Sequence, residues 1–304
     1  MTLQTVQPNN KKLWLAAIKP PMYSVAVMPI CVGTAVAFFE TRIFHPGIFT
    51  IFLLAAILIL AWENLSNDVF DSDTGIDVNK AHSVVNLTRS RSLVFWLSNL
   101  VLALGICGIL AIALWQRDFT VLGLILLCCL LGYVYQGPPF RWGYQGLGEI
   151  LCFFSFGPLG VGAAYYSQAQ TWSVTGLAAS VIIGITTSLV LFCSHFHQVE
   201  DDLAAGKRSP IVRMGTWRGA LLLPWIGGSV FAIAIAFVGL GFFPAWTLLV
   251  LASLLPVVRL CQHVRRYHNQ PTRVHDAKFV AIAFHFWSGL LLCLGFLIPH
   301  ALPL

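Results

Sequence analysis

Residues 64–77 read Asn64-Leu-Ser-Asn67-Asp68-Val-Phe-Asp71-Ser-Asp73-Thr-Gly75-Ile-Asp77. Residues 195–208 read His195-Phe-His197-Gln198-Val-Glu200-Asp201-Asp202-Leu-Ala-Ala-Gly206-Lys207-Arg208. Seven of the 12 acidic residues in this 304-residue chain fall in these two stretches. Carboxylates this dense repel one another, so a cation is expected to hold them together. With about 100° of rotation per helical residue, Asn64, Asp68 and Asp71 share one face, bringing an amide oxygen and two carboxylates to a point. Gly75 is expected to end that helix and Asp77 to fold back from the loop. Hard oxygen ligands of this kind suit Mg²⁺, which keeps several waters and shares its site with substrate phosphates.

The second stretch repeats the geometry with variations. On a continuing helix Gln198 and Asp202 lie one turn apart on one face, with Asp201 beside Gln198 and Glu200 pointing away. Ser194 and His195 fall on that face one turn earlier. The tail Gly206-Lys207-Arg208 adds flexible cations. Opposed metal-binding carboxylates with Lys and Arg beside them are what a diphosphate site requires: the metal neutralises phosphate oxygens, and the cations stabilise the charge left on departure. His195 and His197 read either as bases or metal ligands, or as hydrogen-bonded structural histidines.

The elements that must position these groups are membrane helices. The chain is 58% hydrophobic and 10% charged, against about a quarter charged in an ordinary soluble domain. A spanning helix needs roughly 17–25 mostly apolar residues. Nine segments qualify, near 22–40, 47–64, 94–115, 119–135, 149–166, 172–194, 219–240, 243–260 and 279–299. If the N-terminus is cytoplasmic, 16 of the 18 Lys and Arg fall in inside segments, leaving only Arg42 and Arg117 outside. That asymmetry sets the orientation and puts both acidic motifs and the active site on the cytoplasmic face. The motifs follow spans 2 and 6, and basic-aromatic segments follow spans 4 and 8. The expectation is one all-α polytopic domain over 1–304, built as four helices plus four plus one around a central cavity open to the cytoplasmic side. No basic run interleaves with a nucleic-acid-binding pattern, so nucleic acid is not an expected partner. None of the eight cysteines forms a CxxC pair, so neither a zinc site nor a disulfide framework is implied. The first thirteen residues are too short and too polar to read as a signal or transit peptide.

The string Asn64-x-x-Asn67-Asp68-x-x-Asp71-x-x-x-Gly75-x-Asp77 resembles the first aspartate motif of the UbiA superfamily of intramembrane prenyltransferases, and within it the MenA branch that prenylates 1,4-dihydroxy-2-naphthoate. Residues 194–202, with Ala205-Gly206-Lys207-Arg208-Ser209-Pro210 and Val212-Arg213-Met214-Gly215, resemble the cyanobacterial and plastid phytyl-transferring members. Lys19-Pro20, Tyr133-x-Tyr135-Gln-Gly-Pro138-Pro139-Phe140-Arg141 and Gly146-Leu-Gly148-Glu149 extend the likeness from residue 12 to about 300. One departure stands out. Many members have Asp-x-x-x-Asp in the second motif, where this chain has Gln198-x-x-x-Asp202, so Asp201 or Glu200 is a candidate to compensate.

The resemblance implies Mg²⁺-dependent transfer of a phytyl or other prenyl group from its diphosphate to 1,4-dihydroxy-2-naphthoate, with loss of CO₂, in phylloquinone or menaquinone biosynthesis. It implies a multi-pass enzyme of a cyanobacterial inner or thylakoid membrane, with the prenyl chain lying among the helices in contact with membrane lipid. The metal set it implies is Asn64, Asp68, Asp71, Asp77, Gln198, Asp201 and Asp202. Lys19, Asn67, Lys80, Tyr133, Arg141, Gln198, Lys207 and Arg208 are the implied substrate contacts. Asp68, Asp71, Asp202, Lys80 and Tyr135 are the groups expected at the reacting centre.

Other readings stand beside this one. The same chemistry with homogentisate, 4-hydroxybenzoate or a chlorophyllide as acceptor keeps every residue in place. A divalent-cation or organic-anion transporter calls for carboxylates at mid-bilayer depth, whereas these cluster at one face beside Lys and Arg. Tyr144, Trp142 and the Phe residues at the inner edge read as interface-belt packing. Glu63 reads as a helix-end polar contact, and Glu149 as an acid favouring a helix N-terminus.

Overall fold

The computed structural model describes residues 10–76 and 80–301. Asp77, expected among the metal ligands, lies outside the described residues. All regular structure among those residues is helical, as a bilayer demands of a chain whose backbone groups have no water to bond.

The long helices follow one another as α1 (Ser24–Thr41), α2 (Pro46–Thr74), α3 (Arg91–Gln116), α4 (Thr120–Gln136), α5 (Gly148–Ala169), α6 (Val174–Ser194), α7 (Thr216–Gly239), α8 (Ala245–Tyr267) and α9 (Ala277–Ala301). Among the described residues, eight spans are long and apolar enough to cross a membrane, the first of them running Lys11–Thr41, and α4 is a shorter apolar helix of 17 residues. Helix α5 contains a π turn at Ser155–Leu159 with Pro158 inside it, and α8 opens as a 3-10 stretch over Ala245–Ser253. Large apolar side chains such as Trp96, Trp225 and Leu255 face outward, the surface a lipid-embedded bundle presents.

Two apolar cores hold the bundle together. One gathers α1, α2, α3, α4 and α5 around Phe52, Ile109 and Ile112. The other gathers α1, α6, α7, α8 and α9 around Ile182, Leu223 and Phe284. Helix α1 contributes to both, so the two halves share a seam.

The ends of the bundle differ in chemistry. At one end the loops bearing Arg42 and Arg117 are tied to the end of α5: His45 N donates to Gln168 Oε1 at 2.8 Å, Gln116 Nε2 to Ser167 O at 2.7 Å, and Tyr166 OH to Asp118 Oδ2 at 2.8 Å. At the other end lie both acidic motifs. The fourfold spacing read from the sequence recurs there: the loop after α4 meets Asp71, and the loop after α8 meets His197, whose ring lies 5.0 Å from that of His275.

Two expectations need correction. Glu63, read as a helix-end polar contact, lies inside α2, which runs on through the first motif to Thr74 and stops at Gly75 as expected. Its carboxylate lies so close to Gly132 of α4 that any Cβ there would collide with Oε1. Helix α6 does not continue into the second motif. It stops at Ser194, passes through a 3-10 turn at His195–His197, breaks at Gln198 (φ −114°, ψ 13°), and restarts as a short helix over Val199–Ala204.

Candidate active site

The first motif is the last three turns of α2. Gly75 ends it with φ 77°, a left-handed conformation that suits glycine. Asp68, 1% exposed, accepts Lys80 Nζ at 3.1 Å on one oxygen and the Val84 backbone N–H at 2.7 Å on the other. Asp71, one turn on, accepts Asn67 Nδ2 at 2.8 Å and the Tyr144 hydroxyl at 2.7 Å. Asn64 Nδ2 is buried without a partner. Asp73 faces outward and pairs with Arg91.

In the second motif the helix break decides which carboxylate turns inward. Asp202 is fully buried, while Glu200 and Asp201 are exposed. Asp202 N donates to Gln198 O at 2.8 Å, so these two keep the one-turn spacing expected of them. Asp202 lies 3.3 Å from His195 Nδ1 and 3.4 Å from Lys207 Nζ, yet neither of its oxygens has a donor in hydrogen-bonding geometry. Burial alone would raise its pKa. The contact with His195 and the Lys207 charge bring it below the usual carboxylate range.

The loop between α4 and α5 joins the motifs. Tyr144 donates its hydroxyl to Asp71, its ring lies 5.7 Å from Lys207 Nζ and 5.9 Å from the Arg141 guanidinium, and its carbonyl accepts Arg208 N at 2.7 Å. Arg213 reaches back to the Gln145 carbonyl and to Arg208 O. Burial, then the neighbouring Asp71 charge, push the Tyr144 phenol above its ordinary value. Asp71 and Asp202 are thus linked through two side chains, Tyr144 and Lys207.

A basic group faces these carboxylates. His82 is pushed down to about 4 by burial, then by the charges of Lys80, Lys19 and Lys278, with Asp68 acting the other way. Four charged groups therefore crowd one imidazole. Below this end, an apolar pocket runs into the bundle between α1, α2, α4 and α5, lined by Pro29, Phe52, Leu60, Ile125 and Phe156, with Glu63 at its wall. Residues 52, 56, 60, 63, 67 and 71 follow helical spacing, so this lining and the first motif share a face of α2.

Most of the expected residues converge. Asn64, Asn67, Asp68, Asp71, Lys80, Arg141, Gln198, Asp202 and Lys207 lie at one end of the bundle, with Lys19 beside them through His82. Tyr135 packs against Gly143 and Gly148, and Asp71, Glu149 and Asp202 are close enough for their charges to act on it. Three candidates are placed otherwise. Asp201 is exposed beside the buried Asp202. Arg208 is exposed and engages Tyr144 through its backbone. Tyr133 donates its hydroxyl to Pro138 O at 2.8 Å and sets its ring edge-on to Phe70, a turn-fixing arrangement. Lys278 is not singled out from sequence, and Tyr144 and Glu149 read there as interface-belt packing and as a helix N-terminal acid. Nothing in their local spacing marks a place at the motifs, since each is brought there by a distant element.

Among the described residues, no three His, Cys, Asp or Glu side chains converge at metal-ligand spacing. The donor set is the Asp68–Asp71 pair, the separate Asp202, whose oxygens make ion-pair contacts but no hydrogen bond, the orphaned Asn64 amide and flanking cations. Such a set fits a divalent ion that shares its coordination with phosphate oxygens rather than one caged by protein alone.

The UbiA prenyltransferase family model matches residues 26–297. The chain is 57% identical over 95% of its length, and 94% of the relative's, to the 2-carboxy-1,4-naphthoquinone phytyltransferase of Synechocystis sp.. It is 42% identical over 96% of its length, and 78% of the relative's, to the chloroplastic enzyme of that name from Arabidopsis thaliana. A 1,4-dihydroxy-2-naphthoate octaprenyltransferase from Haemophilus influenzae is 26% identical over 69% of this chain and 72% of its own. In fold, the chain is similar to a UbiA homolog from Aeropyrum pernix K1 (TM-score 0.68, 12% identity, 93% of this chain and 98% of that one) and to an Archaeoglobus fulgidus UbiA homolog bound to DMAPP and Mg²⁺ (TM-score 0.56, 14% identity, 92% and 98%). A helical membrane bundle that brings two acidic motifs and a basic cluster to one end, matched by the family model over nearly all of its length, belongs to the UbiA prenyltransferase family.

Proposed function

We propose that this chain transfers a phytyl or other polyprenyl group from its diphosphate to 1,4-dihydroxy-2-naphthoate. Residues 1–304 act as one domain, in a cyanobacterial-type membrane with the motif end on the cytoplasmic side. The observation that carries this reading is the bridge from Asp71 through Tyr144 to Lys207 and Asp202, which joins one carboxylate from each motif through a tyrosine and a lysine. The names of the Synechocystis and Arabidopsis relatives support the naphthoid acceptor and the phytyl donor.

In this reading Asn64, Asn67, Asp68, Asp71, Gln198 and Asp202 would hold a Mg²⁺–diphosphate, and Asp77, outside the described residues, is proposed with them from the motif alone. Bound Mg²⁺ would neutralise phosphate oxygens and stabilise the departing diphosphate. Lys19, Lys80, Lys207, Lys278 and Arg141 hold the diphosphate charge as the allylic C–O bond breaks and its electron pair leaves with that group. The acceptor's carboxyl-bearing ring carbon attacks the allyl cation. The bond to the carboxylate then breaks, CO₂ departs, and its electron pair restores the aromatic ring. The products are the prenylated naphthohydroquinone, diphosphate and CO₂. Tyr135, packed against Gly143 and Gly148, is the aromatic group assigned to the acceptor or the cation, and the pocket against α2, about 60 Å³, has an apolar lining but takes only the start of a prenyl chain, the rest of which would lie among the helices.

The test is product identification. Membranes containing the chain, given labelled phytyl diphosphate and a panel of 1,4-dihydroxy-2-naphthoate, homogentisate, 4-hydroxybenzoate and a chlorophyllide, should prenylate the naphthoate and release its carboxyl as CO₂. Prenylation of a different acceptor alone would overturn the substrate assignment.

A further inference from the structure

We infer that Glu149 is a positioning residue for the second motif: through His195 it fixes the Asp202 carboxylate, standing in for the acid that Gln198 does not supply. The inference rests on the function proposed above.

Gln198 offers only a neutral oxygen where a second carboxylate would be expected. The acids nearest in sequence, Glu200 and Asp201, are exposed and stand away from the buried Asp202. The acid that does reach this place comes from another helix. Glu149, in the first turn of α5, lies 3.5 Å from His195 Nε2, and His195 Nδ1 lies 3.3 Å from Asp202 Oδ2. One imidazole is thus held between two carboxylates, 3% exposed, with Lys207 3.4 Å from the far oxygen of Asp202.

A helix-dipole role does not account for this. An acid serving only a helix N-terminus stays solvated, whereas both Glu149 oxygens are buried and one of them lies 3.5 Å from His195 Nε2. The Asp202 oxygens and His195 Nδ1 likewise lack hydrogen-bonding geometry and meet one another and Lys207 only as ion-pair contacts of 3.3 and 3.4 Å. A buried row of unsatisfied polar atoms is costly unless a ligand completes it. Carboxylates that bind metals are themselves oriented by outer partners, whose loss weakens metal binding roughly 10–100-fold. Three neighbours fix where Glu149 points: Gly148, which packs under Tyr135, the Glu149 carbonyl, which accepts Ser188 Oγ at 2.7 Å, and the backbone break that aims His195 inward.

The experiment is a Mn²⁺ titration of the full chain in detergent, followed by electron paramagnetic resonance, with the slowly ionising thiolo analogue of phytyl diphosphate present. Glu149→Ala should weaken Mn²⁺ binding about 10–100-fold. Glu149→Gln, which keeps an oxygen facing His195, should recover most of that loss. A merely structural role would lower the thermal unfolding midpoint of the metal-free protein and leave the Mn²⁺ affinity of the folded fraction unchanged, and that result overturns the inference. Should Glu149→Ala not fold, His195→Asn and its combination with Glu149→Leu, which removes the carboxylate but keeps the bulk, decide the matter. Equal affinities in the two support action through His195, and additive losses overturn it. Wild-type chain that binds no Mn²⁺ overturns the diphosphate reading and this inference with it, whereas normal wild-type binding beside an unaltered Glu149→Ala overturns this inference alone.

Discussion

The Tyr144 hydroxyl donates to Asp71 Oδ1 at 2.7 Å while its ring lies 5.7 Å from the Lys207 ammonium. Lys207 in turn meets Asp202 at 3.4 Å. One side chain from the α4–α5 loop therefore touches both acidic motifs, which are separated in sequence by more than a hundred residues. Tyr144→Phe keeps the ring beside Lys207 and removes the hydrogen bond to Asp71 together with the 2.9 Å contact of the hydroxyl with Thr74 Oγ1. Hydrogen bonds to charged groups contribute about 1.5–3 kcal/mol, so kcat/KM for prenyl transfer should fall roughly 10–100-fold. Steady-state kinetics of the two proteins, at matched amounts of folded chain, checks this.

Asp68 and Asp71 hold the centre of the first motif, each with both oxygens engaged by named donors. Asp68→Ala or Asp71→Ala should abolish transfer, a loss of at least about 10²-fold, in protein that still elutes as a folded species. Substantial activity of either variant at saturating Mg²⁺ would remove that residue from the metal–diphosphate set.

Gln198 lies one turn before Asp202 and supplies a neutral oxygen. Gln198→Asp should be tolerated, with activity within about threefold of wild type, if the position contributes only an acceptor oxygen. Complete loss in a folded variant would show that neutrality at 198 is required.

Lys278 comes from the start of α9 and acts on His82 together with Lys19 and Lys80. As a phosphate-facing cation it contributes to ground-state binding of the diphosphate. Lys278→Gln should therefore raise KM for phytyl diphosphate about 10-fold with little change in kcat. An unchanged KM would place Lys278 outside the binding surface.

Chelation gives a reversible counterpart. EDTA should bring transfer to background, and added Mg²⁺ should restore it, in contrast to the permanent loss in Asp68→Ala. Full activity in excess EDTA would contradict the divalent-ion reading.

The helices and the first motif were legible in sequence because their signals are local. Apolar length fixes the spans, one-turn spacing fixes the shared face of Asn64, Asp68 and Asp71, and Gly75 stops the helix where a left-handed residue is needed. The second motif was less legible. A continuing helix puts Asp201 beside Gln198, but the break at Gln198 turns Asp202 inward and leaves Asp201 in the open. Glu63 was misplaced for a related reason. It reads against the end of the apolar span at 64, although the helix carrying the motif continues to Thr74 and leaves Glu63 inside it. Tyr144, Lys278 and Glu149 could not be found locally, since their roles come from which loops and helix ends the bundle brings together.

The central claim is that Asp68 and Asp202, from the two motifs, hold one diphosphate between them. A structure of the full chain with Mg²⁺ and the thiolo analogue of phytyl diphosphate measures that directly. The account predicts a single diphosphate whose bound metal reaches the first motif on one side and Asp202 on the other, with its prenyl chain entering the pocket beneath α2. A diphosphate held by one motif alone, with the other facing solvent, would contradict it.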